Sequence, residues 1–129
     1  MSKIMVLGKP LEGDFYDADF IDVFEAATKK MRDRAAEGSH TKYESLGDAM
    51  RAQCKIAKDY FDEVFGEGTA QELFGPRNNL KLHMQAIADL TDQAMKNRKE
   101  TNDFINRYTQ RQKAQQVRFQ QSYQHKRHK

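Results

Sequence analysis

Apolar residues recur at intervals of three and four along most of the chain, a spacing that predicts amphipathic helices rather than strands. Three long helices are predicted, over about residues 18–36, 43–65 and 79–95, with one further helical turn at 70–74. Candidate N-caps are Asp17 or Asp19 for the first helix and Asn78 or Asn79 for the last. A short apolar run near the N-terminus, interrupted by Gly8-Lys9-Pro10, predicts a small β-hairpin over residues 3–16.

The predicted buried face of each helix follows from the same spacing. In the first helix it consists of Phe20, Val23, Phe24, Ala27, Met31 and Ala35. In the second helix it consists of Leu46, Met50, Cys54, Ala57, Phe61, Val64 and Phe65. In the third helix it consists of Leu80, Met84, Ile87, Leu90, Ala94 and Met95. The expected fold is mainly α: a small helical bundle with a short N-terminal β-hairpin and a long projecting C-terminal helix.

Residues 60–75 concentrate four aromatic residues and three of the seven glycines. Gly66 is expected to end the second helix with a positive φ. Thr69 and Glu72 have the spacing of a capping box, and Gly75 with the following proline stops the short helix that they begin. This pattern favours a structural lock between neighbouring helices over a ligand site. The predicted members of the structural lock are Phe61, Phe65, Gly66, Gly68, Thr69, Glu72, Leu73, Phe74 and Gly75.

The charge changes sign along the chain. Residues 1–95 carry 12 Lys and Arg against 17 Asp and Glu, whereas residues 96–129 carry 10 against 2. The sequence therefore predicts an acidic helical domain followed by a basic, Gln/Lys/Arg-rich helical extension that is frayed or disordered at its end. No Gly or Pro lies between Leu80 and Tyr123, so a helix from residue 80 to 119 is predicted to project over about 60 Å.

No motif indicates catalysis, a cofactor or a metal site. The carboxylates of Asp59, Asp62 and Glu63 are expected on the solvated side of the second helix, and Cys54 on its buried face as a structural thiol. Residues 66–69 lack the lysine of a phosphate-binding loop, and the four histidines have no ligand partners at a useful spacing. No apolar run approaches the roughly 18 residues of a membrane span and no signal peptide opens the chain, so a soluble intracellular non-enzyme is expected.

The basic extension carries the candidate binding residues. Partner contacts are predicted for Phe104, Ile105, Tyr108, Arg107, Arg111 and Phe119. The alternative is a small nucleic-acid-binding protein, in which cations contact phosphates while Phe119 and Tyr123 stack on bases. Against this alternative, the cations spread around the helix instead of forming one dense stripe. A third possibility is self-association, with the last helix pairing as an antiparallel coiled coil.

Two blocks of the sequence resemble a known family. The block Tyr60-Phe-Asp-Glu-Val-Phe-Gly-Glu-Gly-Thr-Ala70, followed by Leu73-Phe-Gly75 and Asn79-Leu80, is similar to the most recognisable part of tail assembly chaperones from long-tailed (siphovirus-type) phages and prophages. The segment Leu11–Asp19, with Asp-Ala-Asp ahead of the first helix, resembles the start of the same proteins. The resemblance covers about residues 1–95, and the basic continuation departs from the less basic family pattern.

What the resemblance implies is a binding function. Such chaperones coat the long helical tape-measure protein, keep it soluble, and recruit tail tube subunits that then displace them. A longer form made by programmed frameshifting is common in the family. The resemblance further implies action in the cytoplasm of a bacterial host, absence from the finished virion, possible self-association, and neither a cofactor nor a membrane.

Overall fold

The computed structural model describes the backbone of residues 2–127 and the side chains of residues 2–115. The elements in chain order are β1 (Lys3–Val6), β2 (Lys9–Glu12), α1 (Ala18–Ser39), α2 (Leu46–Phe65), α3 (Thr69–Phe74) and α4 (Leu80–Arg127). The fold is mainly α, with a two-stranded antiparallel hairpin at the N-terminus and a long C-terminal helix, which confirms the predicted fold class. The chain divides into two compact units between Met95 and Lys96.

The hairpin is shorter than the predicted 3–16, because the chain leaves the sheet after Glu12. Its two-residue turn places both Leu7 and Gly8 at positive φ, 52° and 76°, as the tightest hairpin turns require. Beyond β2 the carboxylate of Asp14 accepts a hydrogen bond from the Tyr16 N–H at 2.9 Å and bends the backbone. Such a turn ends the strand and brings the chain to the start of α1.

A two-stranded sheet is marginal alone, and here α4 completes the free edge of β1. The side-chain amide of Gln93 accepts a hydrogen bond from the Met5 N–H at 3.2 Å and donates one to the Met5 carbonyl at 2.6 Å. Asp89 accepts a further bond from the Leu7 N–H at 3.0 Å. These side chains form hydrogen bonds with backbone groups that would otherwise be free to pair with a third strand. On its inner face the hairpin buries Ile4, Val6 and Leu11.

The contacts between α1 and α2 combine a partly buried hydroxyl pair with two ion pairs. The hydroxyls of Thr28 and Tyr60 lie 2.8 Å apart. At the rim of this interface Arg34 pairs with Asp59 at 2.9 Å. Lys30 and Glu63 form the second ion pair, also at 2.9 Å. Each pair is partly exposed, so each contributes modestly and mainly fixes how the two helices align.

The helix boundaries differ from the predicted ones where capping groups decide them. Ser45 accepts a hydrogen bond from the Asp48 N–H, so α2 begins at Leu46 rather than at residue 43. Asn79, one of the two predicted caps of the last helix, accepts a hydrogen bond from the Leu82 N–H, and α4 begins at Leu80. The first helix runs past the predicted residue 36 to Ser39.

Several predicted core positions are wrong. Five residues assigned to buried faces are exposed: Val23, Leu46, Met50, Met84 and Met95. Among the α4 side chains that the structure describes, those of His83, Ala86 and Leu90 are fully buried. The two methionines of this helix lie about 100° or more around its axis from that line. Methionine is more hydrophobic than histidine, so the sequence pattern assigned the methionines to the buried face of α4. The predicted buried face is therefore rotated around the helix axis relative to the observed one.

His83 is the buried polar residue that the sequence did not reveal. Its ring stacks on Phe74 with centroids 3.9 Å apart, and Nδ1 lies 2.6 Å from the Asn79 carbonyl oxygen. Nδ1 therefore carries the proton and donates it, while Nε2 has no hydrogen-bond partner among the described residues. Burial lowers the pKa of His83, against the Asn79 hydrogen bond that raises it, and the charges of Lys58 and Arg77 lower it further.

This environment makes stability depend on pH. Between the lowered pKa of folded His83 and the ordinary value of about 6.5, the unfolded chain binds more protons than the native state, so stability falls as pH falls. We expect the melting temperature to drop between pH 7.5 and 5.5, and to drop less in the variant His83→Leu. Thermal unfolding followed by circular dichroism measures both.

The exposed residue His40 provides the matched control. The variant His40→Gln should keep the wild-type dependence of melting temperature on pH. An equal loss of stability in the wild type and in His83→Leu over this range would show that His83 is not the group responsible.

Candidate functional site

Two regions contain the residues that the sequence singled out. The structural lock lies in the unit that ends at Met95, and the predicted partner-binding residues lie on α4 after that point.

The aromatic part of the structural lock is a chain of ring contacts. Phe61 of α2 meets Phe74 of α3 edge to face, with centroids 5.7 Å apart, and Phe74 in turn stacks on His83 of α4. Phe65 is half-buried and stacks on Phe61 at 6.2 Å. Leu73 is fully buried beside them. The rings therefore join three helices across the turns between them.

The glycines of the structural lock allow those turns. Gly66 follows α2 at φ 111° and donates its N–H to the Asp62 carbonyl. Gly68 precedes α3 at φ 96°, and Gly75 follows it at φ 58°. A side chain would strain the backbone at each of these angles. The structural lock therefore depends on positive φ angles at its glycines and on side-chain packing at its aromatic residues.

The predicted capping box is wrong. Gly68, not Thr69, occupies the N-cap position of α3, and its residue type offers no side-chain cap. Thr69 donates its hydroxyl to the Gly66 carbonyl at 2.7 Å. The Glu72 side chain is exposed. The carboxylate that serves the helix comes from Asp62, which accepts the Ala70 N–H at 2.8 Å.

Asp62 and its neighbours were expected on the solvated side of α2, but all three carboxylates have structural partners. Asp59 pairs with Arg34 and, at 3.3 Å, with Lys55. Glu63 pairs with a lysine of α1, as described above. These carboxylates therefore help to align α1, α2 and α3.

Other reactive groups of the first unit are also buried or dispersed. Burial raises the pKa of the Cys54 thiol, which lies fully inside the core as predicted and stays protonated near neutral pH. A shallow depression of about 340 Å³ lies at the start of α4, lined by Arg77, Asn79, Lys81, Leu82 and Gln85. Within the described residues no group of three or more His, Cys, Asp or Glu side chains could hold a metal ion.

Nor does any helix in the described part of the chain have the length and apolar character needed to cross a membrane.

On the second part of α4 the predicted binding residues form an exposed strip. Phe104, Ile105 and Tyr108 are 67%, 52% and 58% exposed, and their spacing places them on one side of the helix together with Thr101. We call these four residues the α4 strip. Arg107 and Arg111 are exposed beside it. The side chain of the sixth predicted contact, Phe119, lies outside the described range.

The charges around the α4 strip are unevenly distributed along the sequence. Glu100 and Asp103 are the last acidic residues of the chain, and seven Lys and Arg follow between residues 104 and 129. Predicted fraying or disorder falls at the end of this segment, where the side chains of residues 116–127 and the whole of residues 128 and 129 lie outside what the structure describes.

The capping of α3 by Asp62 generates a direct test. The variant Asp62→Ala leaves the Ala70 N–H without its acceptor, and we expect it to lower the free energy of unfolding by about 1 kcal/mol. Glu72→Ala, which would be equally costly if the capping box existed, should change it by less than about 0.5 kcal/mol. Urea unfolding of the two variants beside the wild type measures both values. The reverse order of the two effects would contradict the structure.

Comparison with known proteins identifies a family but no activity. No curated protein and no solved structure matches the chain. One family model does match, over residues 7–127, and it is described as a family of unknown function, DUF6673. The match runs through all four helices, so the basic part of α4 belongs to the family pattern and is not an unrelated addition. The protein is therefore a member of the DUF6673 family.

Proposed function

We propose that this protein is a non-enzymatic binding protein, a phage tail assembly chaperone that holds the tape-measure protein and recruits tail tube subunits. The observation that carries the proposal is the α4 strip, where three large apolar side chains share one side of a helix and remain exposed. A helix face of this kind is suited to pack against another amphipathic helix. The resemblance of residues 11–19 and 60–80 to tail assembly chaperones supplies the identity of the partner.

The size of the strip suits a chaperone that must release its client. Burying the exposed parts of three such side chains contributes on the order of 5 kcal/mol at most, before the cost of association is subtracted. A single contact of this kind is weak. Many chaperone copies along one tape-measure protein would cover it together, while each copy could still dissociate by itself. Tube subunits could then displace them one at a time during assembly in the host cytoplasm, which leaves the finished virion without the chaperone.

The proposal also accounts for the chemistry of the first unit. Asp59, Asp62 and Glu63 are engaged in ion pairs and a helix cap, and the Cys54 thiol is buried. These groups contribute to the rigidity of the fold. In this proposal the first unit is the scaffold and the α4 strip is the contact surface.

Co-expression tests the chaperone. A tape-measure protein that aggregates alone should become soluble with the wild type and remain insoluble with Phe104→Ser/Ile105→Ser/Tyr108→Ser, because that variant removes the apolar contact. The matched control is Asn102→Ser/Asn106→Ser/Gln110→Ser, which places three serines on the other side of the same helix and should act as the wild type does. The soluble fraction after centrifugation is the measurement. Persistent aggregation with the wild type would refute the proposal.

A second candidate function is nucleic-acid binding, favoured by the seven cations that follow the last acidic residue. Phosphate contacts of this number would make the affinity fall steeply with salt. In a filter-binding assay on single- and double-stranded DNA, the chaperone proposal predicts only weak binding with no submicromolar affinity at physiological salt. Submicromolar affinity with a steep salt slope would favour nucleic-acid binding instead.

A further inference from the structure

We infer that the α4 strip selects one kind of client, an amphipathic helix that carries two acidic residues one turn apart beside its apolar face. The selecting residues are Arg107 and Arg111, which we call the arginine flank. This inference rests on the proposed function, because it names the chemistry of the client that the α4 strip holds.

The arginine flank lies along one edge of the α4 strip. At about 100° per residue, Arg111 lies about 20° and Arg107 about 60° around the helix axis from Phe104, on the side away from Ile105. Both arginine side chains are exposed. Their four-residue spacing places them on the same face of α4, about 6 Å apart along the axis.

The two edges of the α4 strip differ in charge. The other edge presents the neutral residues Asn102 and Thr109, and the Arg98 side chain there is already engaged within the chain. Neither arginine of the flank forms an ion pair with a described side chain, although Asp103 lies one turn before the first of them. The cations that a partner can reach beside the strip therefore lie along one edge.

These two cations give the contact a selectivity that its apolar part lacks. Burial of the three large apolar side chains is non-directional and favours any amphipathic helix. At the rim of the contact, carboxylates that face the arginine flank are attracted and cations in the same place are repelled. A guanidinium group can donate two parallel hydrogen bonds to one carboxylate. Acidic residues four positions apart on the client match the spacing of the flank.

Only a short length of client is needed for this fit. Two helices that cross at the common angle of about 50° diverge on both sides of the crossing, so they share about two to three turns. Residues 101–111 span about 15 Å of α4, which is about three turns. A client that crosses here contacts the α4 strip and the arginine flank together, and it makes no demand on the part of α4 before residue 97.

Binding of designed peptides to the full chain tests the selection. Three labelled helical peptides share one apolar face and differ only at two flanking positions, which hold two glutamates, two glutamines or two lysines. In fluorescence anisotropy at low salt, the glutamate peptide should bind about fivefold more tightly than the glutamine peptide, and the lysine peptide about fivefold less tightly. Salt at about 1 M should largely remove these differences, because it screens exposed charges.

Charge reversal separates the arginine flank from the overall charge of the chain. The variant Arg107→Glu/Arg111→Glu should reverse the order, so that the lysine peptide binds most tightly. The matched control Lys99→Glu/Lys113→Glu changes the net charge by the same amount on the opposite side of α4, and it should keep the wild-type order.

Failure of this inference differs from failure of the proposed function. Equal binding of the three peptides, or the same reversal in both double variants, overturns the selection by charge and leaves the apolar contact standing. A wild type that binds none of the peptides overturns both. Tighter binding of a single-stranded oligothymidine than of any peptide assigns the arginine flank to phosphates and overturns the inference. So does a wild-type dimer at the assay concentration that Arg107→Glu/Arg111→Glu abolishes, because it assigns the flank to a second copy.

Discussion

The fold of the first unit depends on the contact between Phe74 and His83. A helix of six residues such as α3 has no stability of its own, so its position comes entirely from the side chains that it buries. The Phe74 ring lies between Phe61 of α2 and His83 of α4, and through it the last helix is placed against the second. From that placement follows the position of Asp89 and Gln93, which complete the edge of the hairpin.

Burial of apolar surface stabilises the contact between Phe74 and His83. The burial of a polar imidazole ring opposes that stabilisation. His83 brings one satisfied and one unsatisfied nitrogen into the core, and an unsatisfied buried acceptor typically costs about 1–3 kcal/mol. A leucine would avoid that cost, but it could not stack flat on Phe74 or donate to the Asn79 carbonyl. His83 therefore contacts both Asn79, which caps α4, and the Phe74 ring. Protonation of His83 would disturb both contacts.

Local patterns in the sequence predicted the elements, and contacts between distant residues decided what the patterns could not. The three long helices, the hairpin and the burial of Cys54 follow from spacing and turn residues alone. Asp62 could not be identified as the cap of α3, because Thr69 and Glu72 offered a matching local pattern, whereas in the structure α3 already begins at Thr69 and the Thr69 hydroxyl donates to the Gly66 carbonyl. His83 was missed for a related reason: its burial depends on a ring nine residues earlier, and polarity alone argued against it.

The two parts of α4 show why a helical pattern does not determine burial. The first part alternates apolar and polar residues and is covered by the hairpin and the structural lock. The second part repeats the spacing at Thr101, Phe104 and Tyr108, yet the large side chains of Phe104 and Tyr108 remain exposed. Helix propensity is satisfied in both parts, so the difference lies in whether a partner surface is present. The partner that we propose for the exposed strip is a helical client, and an apolar contact of this small size would bind such a client weakly enough to release it.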